Sequence, residues 1–210
     1  MGDDVPKRQL RREILKRRRM LSETERQRLS LLAQRHLLEH PLWQTPGAVG
    51  LYSPVCGEVD TELLCREAWR QQRPVVFPRV RGELLEFVET DPHSPWSVGA
   101  FGVREPAGDR VVHPAELGLL IMPGVVFDRD GHRLGYGRGY YDRALAGCAA
   151  RPVRVGLAFG FQLVARVPRA AHDIQLHYLA TENGVVALPA TPQEGTGEPP
   201  LPKEDWRIKP

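Results

Sequence analysis

Apolar positions first recur at helical spacing, with Leu10, Ile14 and the stretch 15–20 on one side of a segment that begins near Lys7 and Arg11, Arg12, Arg18 and Arg19 elsewhere. Ser22-Glu23-Thr24-Glu25 reads as a capping box opening a second helix. Leu29, Leu32, Ala33, His36 and Leu37 give that helix its apolar face, and Pro41 stops it. The pattern then changes to short apolar runs at 48–52, 74–77, 84–88, 117–122 and 153–159, with helical spacing over 60–72 and 139–148. Continuous apolar strands separated by helices predict an α/β fold. The expected architecture is one domain: a mainly parallel sheet with helices on both faces, in Rossmann-like three layers, preceded by two helices.

Periodicity ends at Leu188. The remaining 22 residues hold six prolines and read as an extended tail, so the division expected is a body of 1–188 and a tail of 189–210. No run approaches the roughly 18 apolar residues of a membrane span, and the first residues have no apolar core like that of a signal peptide, so a cytoplasmic protein is expected. Cys56, Cys65 and Cys148 form no Cys-x-x-Cys pair and read as ordinary small, semi-buried residues.

Charge changes the picture once it is divided. The net charge of +3 is carried unevenly: residues 1–36 hold 11 basic against 5 acidic residues, and the remainder 18 against 21. A basic N-terminus suits a polyanionic ligand, while Arg12, Arg17, Arg18 and Arg19 read as a solvated helix face.

Ligands of open parallel sheets bind beyond the carboxyl ends of the strands. There, after the run 117–122, the chain reads Pro123, Gly124, Phe127 and Asp128, and then Gly131, Arg133, Gly135, Tyr136, Gly137, Arg138, Gly139, Tyr140, Tyr141 and Asp142. Alternate glycines let backbone N–H groups close around an anion at a helix start. Arg133 and Arg138 add forked donors, and Asp142 either caps the helix or holds Mg²⁺. A G-x-G-x-G pattern alone also occurs in plain turns, and it is neither a Walker A loop nor a dinucleotide fingerprint. Glu58, just before a helix capped by Asp60 or Thr61, can accept hydrogen bonds from a heterocycle or be a solvated loop acid. Asp173 reads equally as a metal ligand or a cap.

Taken together, Met122 to Arg143, the Lys7-Arg8-Gln9-Leu10-Arg11 cluster, Glu58-Val59-Asp60-Thr61, Arg104-Glu105-Pro106, Ala171-His172-Asp173 and Thr181-Glu182 closely resemble the 5-formyltetrahydrofolate cyclo-ligase family, across about residues 7–186. The resemblance implies an enzyme that binds MgATP and 5-formyltetrahydrofolate side by side and releases 5,10-methenyltetrahydrofolate, ADP and phosphate. It implies that Lys7, Arg8, Gln9, Leu10 and Arg11, together with Arg133, Leu134, Gly135, Tyr136, Gly137, Arg138, Gly139, Tyr140 and Tyr141, contact ATP, with Arg138 catalytic. Asp142 and Asp173 would hold Mg²⁺. Tyr52, Ser53, Glu58 and Phe101 would line the folate pocket. Small molecules are the expected partners, with no nucleic acid or membrane, in a monomer or weak homodimer. Ile174-Gln175-Leu176-His177 departs from the family, which often has an acid there. A rival from another class is a non-catalytic relative binding nucleotide or RNA through its basic helices, although no aromatic RNP-like strand is present.

Overall fold

A computed structural model describes residues 4–99, 102–146, 148, 152–168 and 173–189. Phe101, Ala171, His172 and nearly all of the Pro-rich tail lie outside them. Helix α1 spans Asp4–Met20 and α2 Glu23–Glu39. Ser22 Oγ accepts from the Glu25 amide at 3.1 Å, the forward half of the expected box, while the Glu25 carboxylate pairs with Arg28 at 2.8 Å. Strands β1 (Ala48–Gly50), β2 (Val75–Arg81), β3 (Leu84–Thr90), β4 (Trp96–Val98), β5 (Arg104–Pro106), β6 (Val111–Val112) and β7 (Leu117–Met122) follow, with α3 (Glu62–Arg70) between β1 and β2. Then come β8 (Val126–Asp128), β9 (Arg133–Leu134), α4 (Tyr140–Leu145), β10 (Val153–Leu157), β11 (Leu163–Val164), β12 (Tyr178–Thr181) and β13 (Gly184–Ala187).

The main sheet runs β13-β12-β10-β7-β1-β2-β3-β6. Its middle pairs, β12 with β10, β10 with β7, β7 with β1 and β1 with β2, are parallel, and the edge pairs are antiparallel. β8 is paired by β9 and β11 in a separate small sheet. Alternation along β7 divides its side chains: Leu119 and Ile121 join the core under α2 and α3, and Leu120 and Met122 join the core under α4. Burying these apolar faces is the main stabilising term, at about 25 cal/mol per Å². Among the described residues no helix is long and apolar enough to cross a membrane.

The three layers are unequal. One face carries the two long helices α2 and α3; the other carries the six-residue α4, completed by Phe127 of β8 and by Ile174 and Leu176. The helix expected over 139–148 is therefore shorter, ending with the Ala146 amide on the Arg143 carbonyl. Over so few turns the dipole contributes less to an anion site than the sequence suggests. Arg18 also departs from its expected place: the polar-face reading fails because this side chain is buried among the turns that follow β1 and β7.

The chain leaves β1 towards β2 on one side and leaves β7 towards β10 on the other. Between β1 and β7 the direction of winding thus reverses, and the loops after these two strands part to open a crevice.

Candidate active site

A cleft of about 510 Å³ lies in that crevice, lined by Val55 and Cys56 after β1, Pro123 and Gly124 after β7, and the whole of Arg133 to Asp142. Lys7 and Arg11 of α1 form part of the wall, as does Asp173. Groups separated by more than a hundred residues in sequence thus share one concavity, in the size range of small-molecule sites.

The glycine loop owes its path to two left-handed residues. Gly137 (φ +97°) and Gly139 (φ +64°) adopt conformations that side chains rarely take, and Gly139 is the N-cap of α4. Arg11 Nε donates to the Gly135 carbonyl at 2.8 Å, so α1 holds the loop from behind. Arg138 is exposed at the cleft, and its carbonyl accepts from Arg143 Nη1 at 2.7 Å. Tyr140 and Tyr141 open α4; the partly buried Tyr141 ring meets Phe87 edge-on, and desolvation raises its phenol pKa.

Arg133 behaves differently from the expected phosphate fork. Only 6% of its side chain is exposed; Nη2 pairs with Asp142 Oδ1 at 2.9 Å and Nη1 donates to the Ile174 carbonyl at 2.7 Å. Asp142 Oδ1 also accepts from the Ile174 amide at 3.0 Å. Arg133 therefore fixes the position of Asp142 and of the backbone beside Asp173. Two carboxylates on the cleft wall, both oxygen donors, fit a hard divalent cation that also takes oxygens from phosphate and water.

Beneath the turn that brings Val55 and Cys56 to the cleft wall lie buried groups, among them Glu58, which is not itself part of that wall. Cys56 (φ +50°) and Gly57 (φ +73°) turn the chain so that Glu58 folds back, and its Oε2 accepts from the Val55 amide at 3.0 Å. Asp60 Oδ1 accepts from the Glu62 amide at 2.7 Å and Gln34 Oε1 from the Leu63 amide at 2.9 Å, which anchors the start of α3 behind this turn. Glu58 is 4% exposed, and Oε1 is buried without a hydrogen-bond partner among the described residues. Burial pushes its carboxyl up to about 7, against the lowering effects of the Val55 amide, the Arg18 charge and the Tyr136 hydroxyl.

Other expected residues are placed apart. Tyr52 is a core residue whose hydroxyl donates to the Val59 carbonyl at 2.8 Å, and it does not line the cleft. Ser53 faces a neighbouring cavity of about 460 Å³ that also has Trp69, Phe77, Trp96 and Arg104 in its wall. Leu10 packs into the small core around Ile14 and Val126, Gln9 bonds Glu13 at 2.9 Å on the surface, and Arg8 is exposed. Phe101 lies outside the described residues. Cys56 is exposed at the cleft, unlike the semi-buried residue expected, and its carbonyl serves as an acceptor. Arg18 was the residue missed; its spacing from Arg11 and Ile14, seven and four residues, puts all three on one helix face.

A profile of the 5-formyltetrahydrofolate cyclo-ligase family matches residues 3–182. The chain belongs to this family. It is 31% identical over 194 residues to 5-formyltetrahydrofolate cyclo-ligase of Mus musculus, covering 84% of this chain and 94% of that one. It is 34% identical over 179 residues to the protein of that name from Escherichia coli strain K12, covering 82% and 98%. The solved structure of Aquifex aeolicus 5,10-methenyltetrahydrofolate synthetase superposes with a TM-score of 0.77 at 36% identity, over 92% of this chain and 96% of that one. The Mycoplasma pneumoniae synthetase shares the fold, with a TM-score of 0.69 at 24% identity over 84% and 98%. In this cyclo-ligase family member, the cleft at the reversal of strand order is lined by Pro123, Gly124 and the whole of Arg133 to Asp142 from the long glycine motif.

Proposed function

We propose that this cyclo-ligase family member is an ATP-dependent enzyme converting 5-formyltetrahydrofolate to 5,10-methenyltetrahydrofolate, ADP and phosphate, with residues 1–188 as its catalytic body. The observation that carries the reading is the convergence of Lys7, Arg11, the Gly135–Gly137–Gly139 loop, Asp142 and Asp173 on one cleft. The nucleotide lies along the glycine loop, where backbone N–H groups, Lys7 and Arg11 meet its phosphates. Asp142 and Asp173 would hold Mg²⁺, which when bound supplies charge neutralisation for the phosphate oxygens. Arg133 contributes by holding Asp142 still, with two of its donors committed to Asp142 and to the Ile174 carbonyl.

The formyl oxygen of the folate is the nucleophile. It attacks the terminal phosphorus and ADP leaves; the nitrogen at position 10 then attacks the activated carbon, and the phosphate departs with the former formyl oxygen as the ring closes. No Ser or Cys nucleophile is needed, because phosphoryl transfer depends on positioning and charge. Arg138, exposed at the cleft, is the cation that meets the transferred group. Glu58 Oε1 accepts from the amino and ring N–H groups of the pterin, which restores to a buried oxygen the hydrogen bond it lacks.

The RNA-binding alternative draws little support from α1: Arg18 is buried and Arg17 lies 5.0 Å over the Phe161 ring. Incubating the purified protein with 5-formyltetrahydrofolate and MgATP is expected to produce the near-ultraviolet absorbance of methenyltetrahydrofolate. Folded protein that gives no such signal overturns the proposal.

A further inference from the structure

Arg18 has no part in the chemistry above, yet its placement is costly. Its side chain is 1% exposed, and a guanidinium withdrawn from water is expensive unless well partnered. It reaches three separate segments: Nε donates to the Cys56 carbonyl at 2.9 Å, Nη1 approaches the Gly124 carbonyl at 3.4 Å, and Nη2 donates to the Tyr136 hydroxyl. The Tyr136 ring also stacks its face towards the cation, 5.9 Å from centroid to guanidinium carbon. These segments are the turn after β1, the turn after β7 and the glycine loop, so one side chain stands at the crevice where strand order reverses.

Neutral oxygens do not balance a full charge, and the anion on this floor is Glu58. Tyr136 lies between them. Its hydroxyl accepts from Arg18 and keeps its own proton, because desolvation raises its pKa, and it lies near enough to Glu58 to lower the carboxyl's pKa. We infer that Arg18 is a positioning residue of the reaction: from one buried charge it locks the 55–58 turn to Tyr136, so that the folate-facing carboxylate and the nucleotide-facing loop are held in one register. The inference rests on the assignment of Glu58 to the pterin.

The ionisable groups facing Glu58 are Arg18 of α1, Tyr52 at the end of β1, Tyr136 of the loop and Tyr141 of α4. The three tyrosines stay neutral, since burial raises each of them. Arg18 is thus the cation in this set, and the carboxylate depends on it for its charge.

The test is the pH profile of KM for 5-formyltetrahydrofolate at saturating MgATP, in the parent and in Arg18→Met, Arg18→Lys, Tyr136→Phe and Glu58→Gln, with circular dichroism to verify folding. In Arg18→Met, KM at neutral pH is expected to rise about tenfold, the value of one charge-assisted hydrogen bond. Its acid limb should move to higher pH by about one unit, because a lost cation favours the protonated carboxyl. Arg18→Lys restores the limb. Tyr136→Phe, which keeps Arg18 and nearly the same volume, moves it in the same direction by less, and carries the test if Arg18→Met does not fold. A uniform rise of KM at every pH, or none, overturns the inference and leaves Arg18 as packing. If Glu58→Gln retains the parent KM and profile, the pterin assignment itself has failed, and the inference with it.

Discussion

The parts proposed to meet the nucleotide and the folate are made in opposite ways. Those proposed for the nucleotide are backbone and exposed charge: Gly137 and Gly139 in left-handed conformations, Arg138 exposed, and Arg11 bracing a carbonyl. Those proposed for the folate rest on buried side chains, Glu58 and Arg18, with the half-exposed Tyr136 beside them. Exposed charge is screened and contributes little to stability, so it can be tuned for chemistry alone. Buried charge is coupled to folding, so the same groups must serve both.

Four experiments test that contrast. Arg138→Ala is expected to lower turnover by about a thousandfold, comparable with other arginines that meet a transferred phosphoryl group. Its melting temperature should stay that of the parent; a melting shift with intact turnover would reverse the division of labour. Next in size, Gly137→Ala forces a side chain into φ +97°, with Arg11 Nη2 at 3.4 Å from the new carbon, at a cost of about 1–2 kcal/mol. It should raise KM for ATP, whereas Gly135→Ala, which meets nothing within 4 Å, should leave it unchanged. Steady-state kinetics of the pair separate loop geometry from mere glycine content.

Tyr52→Phe removes the hydroxyl that bonds the Val59 carbonyl and should cost about 1 kcal/mol in denaturant unfolding without altering KM for folate. A changed KM would return Tyr52 to the pocket. The smallest effect is a proton count. Burial pushes the Glu58 carboxyl up to about 7, so a pterin bound to the carboxylate, as proposed, is expected to lower that pKa and release a proton below neutrality. Calorimetry in buffers of different ionisation enthalpy should detect a fraction of one proton leaving near pH 6.5, and none in Glu58→Gln. The sign for stability follows: between the usual carboxylate pKa of about 4.5 and 7 the folded state holds more protons than the unfolded, so this group's contribution declines as pH rises.

How much could be read from the chain alone followed from the length of each signal. β7 was legible to the residue, because six consecutive apolar positions bounded by Glu116 and Pro123 leave little choice of ends. The β4–β5 hairpin and β8, β9 and β11 were not, since two or three residues cannot display a period of two. Motif residues 133–142 were found as a block, but their division of labour was not: Arg133 and Arg138 are the same letter, and only the structure shows that Arg133 is nearly buried against Asp142 and Ile174 while Arg138 is exposed at the cleft. Arg18 was hidden among Arg17 and Arg19 because a run of arginines looks solvated until a partner for one of them is known. The Tyr136 hydroxyl that meets it lies 118 residues away.

Helix α1 is synthesised first, yet its anchors arrive late. Arg11 waits for a carbonyl 124 residues downstream, and Arg18 for a hydroxyl at nearly the same remove. Contacts so distant in sequence form slowly. A nascent chain therefore carries an unpartnered basic helix until residues 133–137 have left the ribosome, and the cleft cannot exist in any shorter fragment. Asp173, also in the wall, comes later still, so the site is acquired only after most of the domain has been made.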